Sequence, residues 1–209
     1  MSWRGSGLRF WTERFRDRLA EMESNAMSFY LYRPDANGFA GIGFSQDDDE
    51  RIVNVHYTDT PLADQWVAPV AHDFEDNPEP EGDFPSLSNF WRIPVMSQRA
   101  WDALHSLIGN CCEVLPITYS SNNLYSIIHV MKTVDCLDCA KSELIRNATT
   151  GRVSRIYRYS FNHNMMYGNH IFKLPLESGA ELIVDDEFRR NVEASGLKGL
   201  RFNELPTAQ

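Results

Sequence analysis

The sequence has four cysteines, Cys111, Cys112, Cys136 and Cys139, and the last two stand in the C-x-x-C spacing of "CLDC". Two thiolates at that spacing supply half of a tetrahedral zinc site, or a redox pair. A complete site needs two more ligands, for which Cys111, Cys112, His129, His163 and His170 are the candidates. Neither a second C-x-x-C nor a close histidine pair accompanies the motif, and the acid between its cysteines, Asp138, disfavours a thiolate beside it. The cysteines read more simply as small buried hydrophobes of a reducing compartment. "GIGFSQ" at 41–46 begins like a dinucleotide loop, but Gln46 stands where the third glycine belongs, and acids follow. "FNHNMMYGNH" brings His163 and His170 near Asn and Tyr without a nucleophile or a paired carboxylate, so a polar turn explains it better. No G-x-S-x-G, H-E-x-x-H or phosphate-binding Lys loop occurs. These residues assemble no catalytic, cofactor or metal constellation. The alternative of a small metal-binding or enzymatic module rests on Cys136, Cys139 and the nearby histidines alone.

Charge is more informative. Residues 47–83 hold twelve acids and one base, Arg51, a net −11 in a chain of −9, so the rest sums to +2. Such a field argues against nucleic acid as a partner there and attracts a basic one. The candidate partner-binding residues are Asp47, Asp48, Asp49, Glu50, Trp66, Asp73, Phe74, Glu75, Asp76, Glu79, Glu81 and Asp83. Trp66, Phe74 and Phe84 are the candidate apolar anchors, since aromatic residues dominate interface energy. The competing reading is a solvated acidic loop that these aromatics pin to the body. No apolar run reaches the roughly 18 residues of a membrane helix. The N-terminus, broken by Arg4, Arg9, Glu13 and Arg14, does not read as a signal peptide, so a cytoplasmic location is expected.

The elements that would hold such a surface read as an α+β fold with a mixed, mainly antiparallel sheet and a few packed helices. A helical extension, separate from the core, is expected at residues 1–26, where Leu8, Trp11, Phe15, Leu19 and Met22 fall on one apolar stripe. Residues 27–209 form a single domain, with Met27 at its head. Strands are expected at Phe29–Tyr32, at Ile52–Tyr57 (Val53, Val55 and Tyr57 on one face), at Leu124–Met131, at Arg152–Phe161 and at Ile171–Leu174. The prolines and Gly82 of 72–86 predict a loop.

The C-terminal half contains one strand–helix–strand unit twice, at 93–119 and 182–205. Ser97 and Asp185 are placed to cap the helices, an arrangement worth about 1 kcal/mol. Trp101, Leu104 and Ile108 line the inner face of the first helix, and Phe188 and Val192 that of the second. Gly109 and Gly196 sit where a left-handed residue ends a helix.

Taken together, "VMSQRAWDAL", "EVLPITY", "LYSIIHVMKTVDCLDCAKSEL", "GRVSRIYRYSFN", "IFKLP" and "LIVDDEFRRNVEASGLKGLRFNEL" resemble the myxobacterial-type immunity domain family of bacterial polymorphic toxin systems. The matching positions are Leu115-Pro116, the turn with Asp135, Asp138 and Ser142, the strand with Ile171, Phe172 and Leu174, the helix start at Val184, Asp185 and Phe188, and the ending Gly196, Leu197, Gly199, Leu200 and Phe202. The resemblance covers about residues 90–205, and Cys136 and Cys139 match no part of it. It implies no catalytic residues and no cofactor. The partner it implies is a cognate toxin domain encoded beside the protein, bound and blocked in the cytosol.

Overall fold

Ser97 and Asp185 both cap helices. A computed structural model describes residues 28–74, 80–88, 90, 92–121, 123–176 and 179–205. In it the Ser97 hydroxyl accepts from the Ala100 amide at 3.1 Å, and the Asp185 carboxylate from the Phe188 amide at 2.8 Å. Each bond satisfies a backbone N–H that the first turn of a helix leaves without an internal partner. The striped segment 1–26 lies outside the described residues.

In chain order the elements are β1 (Phe29–Pro34), β2 (Ile42–Gly43), α1 (Gln46–Tyr57), a 3-10 turn (Ala63–Gln65), β3 (His72–Asp73), β4 (Val95–Ser97), α2 (Gln98–Ile108) and β5 (Cys112–Pro116). Then follow β6 (Tyr125–Val130), β7 (Glu143–Arg146), β8 (Val153–Arg158), α3 (His163–Met166), β9 (Ile171–Leu176), β10 (Gly179–Asp185), α4 (Asp186–Ala194) and β11 (Leu200–Glu204). The α+β class holds, but the strands divide among several antiparallel sheets. One has the order β11-β1-β10-β9, a second β4-β6-β5, and β2-β3 and β7-β8 are two-stranded.

The repeated unit has the same geometry in both copies. β4 and β5 each pair antiparallel with β6, and β10 and β11 each pair antiparallel with β1. The strands of each unit are therefore parallel to one another, with a strand from elsewhere in the chain inserted between them. The helices α2 and α4 pack against each other. Ala100, Leu104 and Ile108 of α2 meet Phe188 and Val192 of α4 in one buried cluster with Tyr32, Phe84 and Ile128. Each large side chain buried there contributes about 1.5–3 kcal/mol. Trp101 is half-buried at the edge of this cluster. Gly196 is left-handed as expected, at φ +62°. Gly109 is not: its φ is −63°, and a Cβ there would lie 2.6 Å from the His105 carbonyl oxygen. Close approach, not handedness, excludes a side chain at 109.

The expected strand at 52–57 is instead the second half of helix α1. Val53, Val55 and Tyr57 alternate by accident. The buried pair is Ile52 and Val55, three residues apart on one helix face, while Tyr57 is 61% exposed. The acids at 47–50 are accordingly not a loop. Asp47, Asp48 and Asp49 form the first turn, where the positive end of the helix dipole favours them.

Candidate partner-binding face

Beyond α1 the chain passes through a buried clamp. His129 is wholly buried; its Nδ1 lies 3.1 Å from Glu113 Oε2 and its Nε2 2.9 Å from the Thr58 carbonyl. The buried Lys173 donates to the same carbonyl at 2.7 Å and pairs with Asp59. Glu113 accepts from the Leu62 and Ala63 amides, both at 2.8 Å. Burial would raise the Glu113 pKa, but these two amides and His129 outweigh it and hold the carboxyl below its ordinary value. With both ring nitrogens engaged and no exposed surface, His129 positions residues 58–63. It presents no nitrogen to a substrate.

Held at that end, residues 66–74 lie as a strap across the body. The Trp66 indole N–H donates to the Pro116 carbonyl at 2.8 Å, and its half-buried ring packs on the cluster of Ile52, Val55 and Leu115. The Thr118 amide donates to Pro69 O at 2.9 Å and the Ala71 amide to Thr118 O at 2.7 Å. Further on, β3 pairs with β2, and the Phe74 amide donates to Gly41 O at 3.1 Å. Trp66 thus fastens the strap. The large apolar side chains turned outward are Val67 at 65%, Val70 at 64% and Phe74 at 53% exposure.

The first turn of α1 joins this strap. Arg51 pairs with Asp48, and its other guanidinium nitrogen donates to the Val67 carbonyl at 3.1 Å. Arg51 holds the Asp48 carboxyl below its ordinary value, helped by the Ser45 hydroxyl and the Val70 amide. Asp47 and Glu50 stay exposed on the same turn, and Asp48 and Asp49 are half-buried. At the far end the Tyr119 hydroxyl donates to Asp73 at 2.5 Å, and Ser121 donates to Glu81 at 2.8 Å. Burial, and then the Asp73 carboxylate, push the Tyr119 pKa up. Arg51 therefore ties the first turn of α1, which carries Asp47, Asp48, Asp49 and Glu50, to the strap with Asp73 and Phe74, and the Tyr119–Ser121 segment joins Asp73 to Glu81; this acidic, apolar-studded stretch is the candidate ledge. Its single base among 47–74, Arg51, is already occupied.

Three expected site residues, Glu75, Asp76 and Glu79, lie outside the described residues. Asp83 and Phe84 leave the surface set because both are buried. Asp83, 7% exposed, accepts from Ser97 Oγ at 2.8 Å, Arg99 at 3.1 Å and the Lys198 amide at 2.8 Å. Phe84 is fully buried, edge-on to Tyr32 with ring centroids 6.4 Å apart. Val67 and Val70 were missed in the sequence because single exposed valines carry no local signal; their exposure follows from the strap.

The cysteines do not form a comparable site. Cys136 is buried, and burial pushes its thiol up to about 11, which leaves it protonated and a poor nucleophile. It borders an open cleft of about 430 Å³ lined also by Asp135, Asp138, Lys141, Phe161 and Met165. Asp138 there accepts from the Ala140 amide at 3.1 Å, and Ser142 Oγ donates to the Asp138 carbonyl at 2.8 Å, so both build the turn. Cys139 is exposed, Cys111 and Cys112 have sulfurs 3.9 Å apart, and the His163 side chain lies outside the described set. Among the described residues, the one group of three possible metal ligands is His170, Asp185 and Glu187. Neither Cys136 nor Cys139 belongs to it. Its centre is the α4 cap: His170 Nδ1 lies 2.9 Å from Asp185 Oδ2, at the helix end that repels cations. Among the described residues no helix is long and apolar enough to cross a membrane.

Comparison with curated proteins gives no match. A family model, described as the immunity protein family (Imm11), matches residues 58–207. The match begins earlier than the sequence motifs, so it takes in the strap as well as both strand–helix–strand units. The chain belongs to the Imm11 immunity protein family.

Proposed function

We propose that this protein neutralises a cognate toxin domain by binding it, without turnover, through the ledge formed by the first turn of α1 and the strap. The toxin of this reading is encoded beside the protein in a polymorphic toxin system, carries a basic, nuclease-like surface, and is met in the cytoplasm. The observation that carries the reading is a row of exposed Val67, Val70 and Phe74 set among carboxylates in a chain of the immunity family. Apolar side chains would anchor the contact, while Asp47, Asp49, Glu50, Asp73 and Glu81 steer a cationic partner and accelerate association. Glu75, Asp76 and Glu79 extend the same charge along the sequence. Trp66 supports the strap from beneath.

Co-expression tests the function. Cells producing the neighbouring toxin domain are expected to survive when this protein is present and to die when it is absent. Death in both cases contradicts neutralisation altogether. Survival that persists in a variant with the exposed ledge residues replaced by Asn, Gln and Ser contradicts only the assigned surface.

A further inference from the structure

The β7–β8 hairpin is the electrostatic opposite of the ledge. Between residues 141 and 158 the chain carries five bases (Lys141, Arg146, Arg152, Arg155 and Arg158) against one acid, Glu143. The two strands form a sheet by themselves, and their register slips twice, between Glu143 and Leu144 and between Ile145 and Arg146. Such irregular edges discourage strand addition, so side chains, not backbone, are what this arm offers.

The inner side of the arm rests on the body through Ile156, against the cluster of Phe29, Phe172 and Ile183. Its outer side exposes Ile145 at 47% and Tyr157 at 50%, with the Arg155 guanidinium 5.4 Å from the Tyr157 ring centroid. Ile145 and Arg155 are register partners, so these three side chains make one patch. The tip is firm: Asn147 Oδ1 accepts from the Thr149 amide at 2.8 Å, and Arg146 donates to Gly151 O at 2.9 Å. Arg152 and Arg155 are exposed, and neither forms an ion pair among the described residues.

The complementarity is within one chain. The ledge offers carboxylates around Val67, Val70 and Phe74; the arm offers the exposed guanidinium groups of Arg152 and Arg155 around Ile145 and Tyr157. Tyrosine and arginine are also the residue types enriched at the centres of protein interfaces. The two surfaces overlie different clusters, of Ile52 and of Phe172, and so do not neutralise each other in place. We propose that the β7–β8 arm of one molecule docks on the acidic ledge of a second copy, so that the protein self-associates by a heterologous arm-to-ledge contact. The net charge of −9 on each copy opposes approach at long range. At about 0.15 M salt that repulsion is screened beyond about 8 Å, while contacts inside the interface persist.

Sedimentation of the full chain over a concentration series at that salt tests this, with no toxin present, so its outcome is separate from that of the neutralisation assay. An arm variant (Arg152→Glu with Arg155→Glu) and a ledge variant (Asp47→Lys with Glu50→Lys) change exposed side chains only, and circular dichroism verifies that each is folded. The mass of the wild-type protein is expected to rise with concentration above the 24.0 kDa monomer, while each variant alone remains a monomer. The equimolar mixture of the two variants is expected to form a one-to-one complex, because one supplies an intact ledge and the other an intact arm. A wild-type protein that stays monomeric, a folded variant that associates like wild type, or a mixture that stays monomeric overturns the proposal.

Discussion

Asp83 Oδ1 accepts a hydrogen bond from Ser97 Oγ at 2.8 Å, and the same hydroxyl caps helix α2. Asp83 therefore orients the cap. Its other oxygen takes Arg99 and the Lys198 amide, and Arg99 reaches on to the Ser195 and Gly196 carbonyls at the end of α4. One buried carboxylate thus joins the start of the first unit's helix to the end of the second's.

Replacing Asp83 by Ala leaves the Lys198 amide without its partner and the Ser97 hydroxyl unoriented. The expected loss is about 2–4 kcal/mol in urea unfolding, since groups left unpaired in the interior cost more than the bonds they made. Ser97→Ala, which removes the cap as well, is expected to cost about 1–2 kcal/mol. A loss below about 0.5 kcal/mol for Asp83→Ala would show that the junction is not structural.

The neighbouring aromatics separate stability from binding. Phe84→Ala is expected to lower stability by about 3–5 kcal/mol, because it empties a fully buried site between Tyr32 and the helices. Phe74→Ser, on the exposed strap, is expected to stay within about 0.5 kcal/mol of wild type and to weaken toxin binding. Thermal unfolding and a binding titration on the same two variants check both halves of this statement.

Acid sensitivity should begin above the usual carboxylate range. Burial, with Arg92 and Lys173 nearby, lowers the His56 pKa from 6.5 to about 4. The folded protein thus binds fewer protons than the unfolded chain between those values. This contribution is full above pH 6.5 and declines as pH falls towards about 4, with a slope approaching one proton. Depressed carboxyls at Asp48, Asp59 and Glu113 add losses at lower pH, as each is protonated through its folded-state value. Unfolding free energy measured from pH 7.5 to 4.5 is expected to fall for wild type and to flatten in His56→Gln. An equal fall in both proteins excludes His56 as the source.

The parts legible in the sequence were those encoded by neighbours along the chain. Ser97 and Asp185, the stripes Leu104–Ile108 and Phe188–Val192, and Gly196 are local signals, and each has the structure its spacing implied. The second half of the helix at 46–57 reads as a strand because Val53, Val55 and Tyr57 alternate, while the true signal is Ser45 at the N-cap with Asp47, Asp48 and Asp49 in the first turn. Sheet order was not legible: β1, near the start of the described chain, inserts between β10 and β11 at its end, and no local pattern encodes that. The acidic surface was visible as composition. Its division was not, because Asp83 and Asp73 look alike in sequence and only long-range contacts bury the one and expose the other.

Neutralisation through the ledge requires that the ledge bind the toxin. Association of the purified protein with its neighbouring toxin domain, followed in real time, measures this most directly when wild type is compared with Asp47→Asn/Glu50→Gln/Asp73→Asn/Phe74→Ser. The expected result for the variant is an association rate about tenfold slower and an affinity weaker by roughly a hundredfold, from lost steering and a lost anchor. A folded variant that binds as fast and as tightly as wild type would contradict the claim.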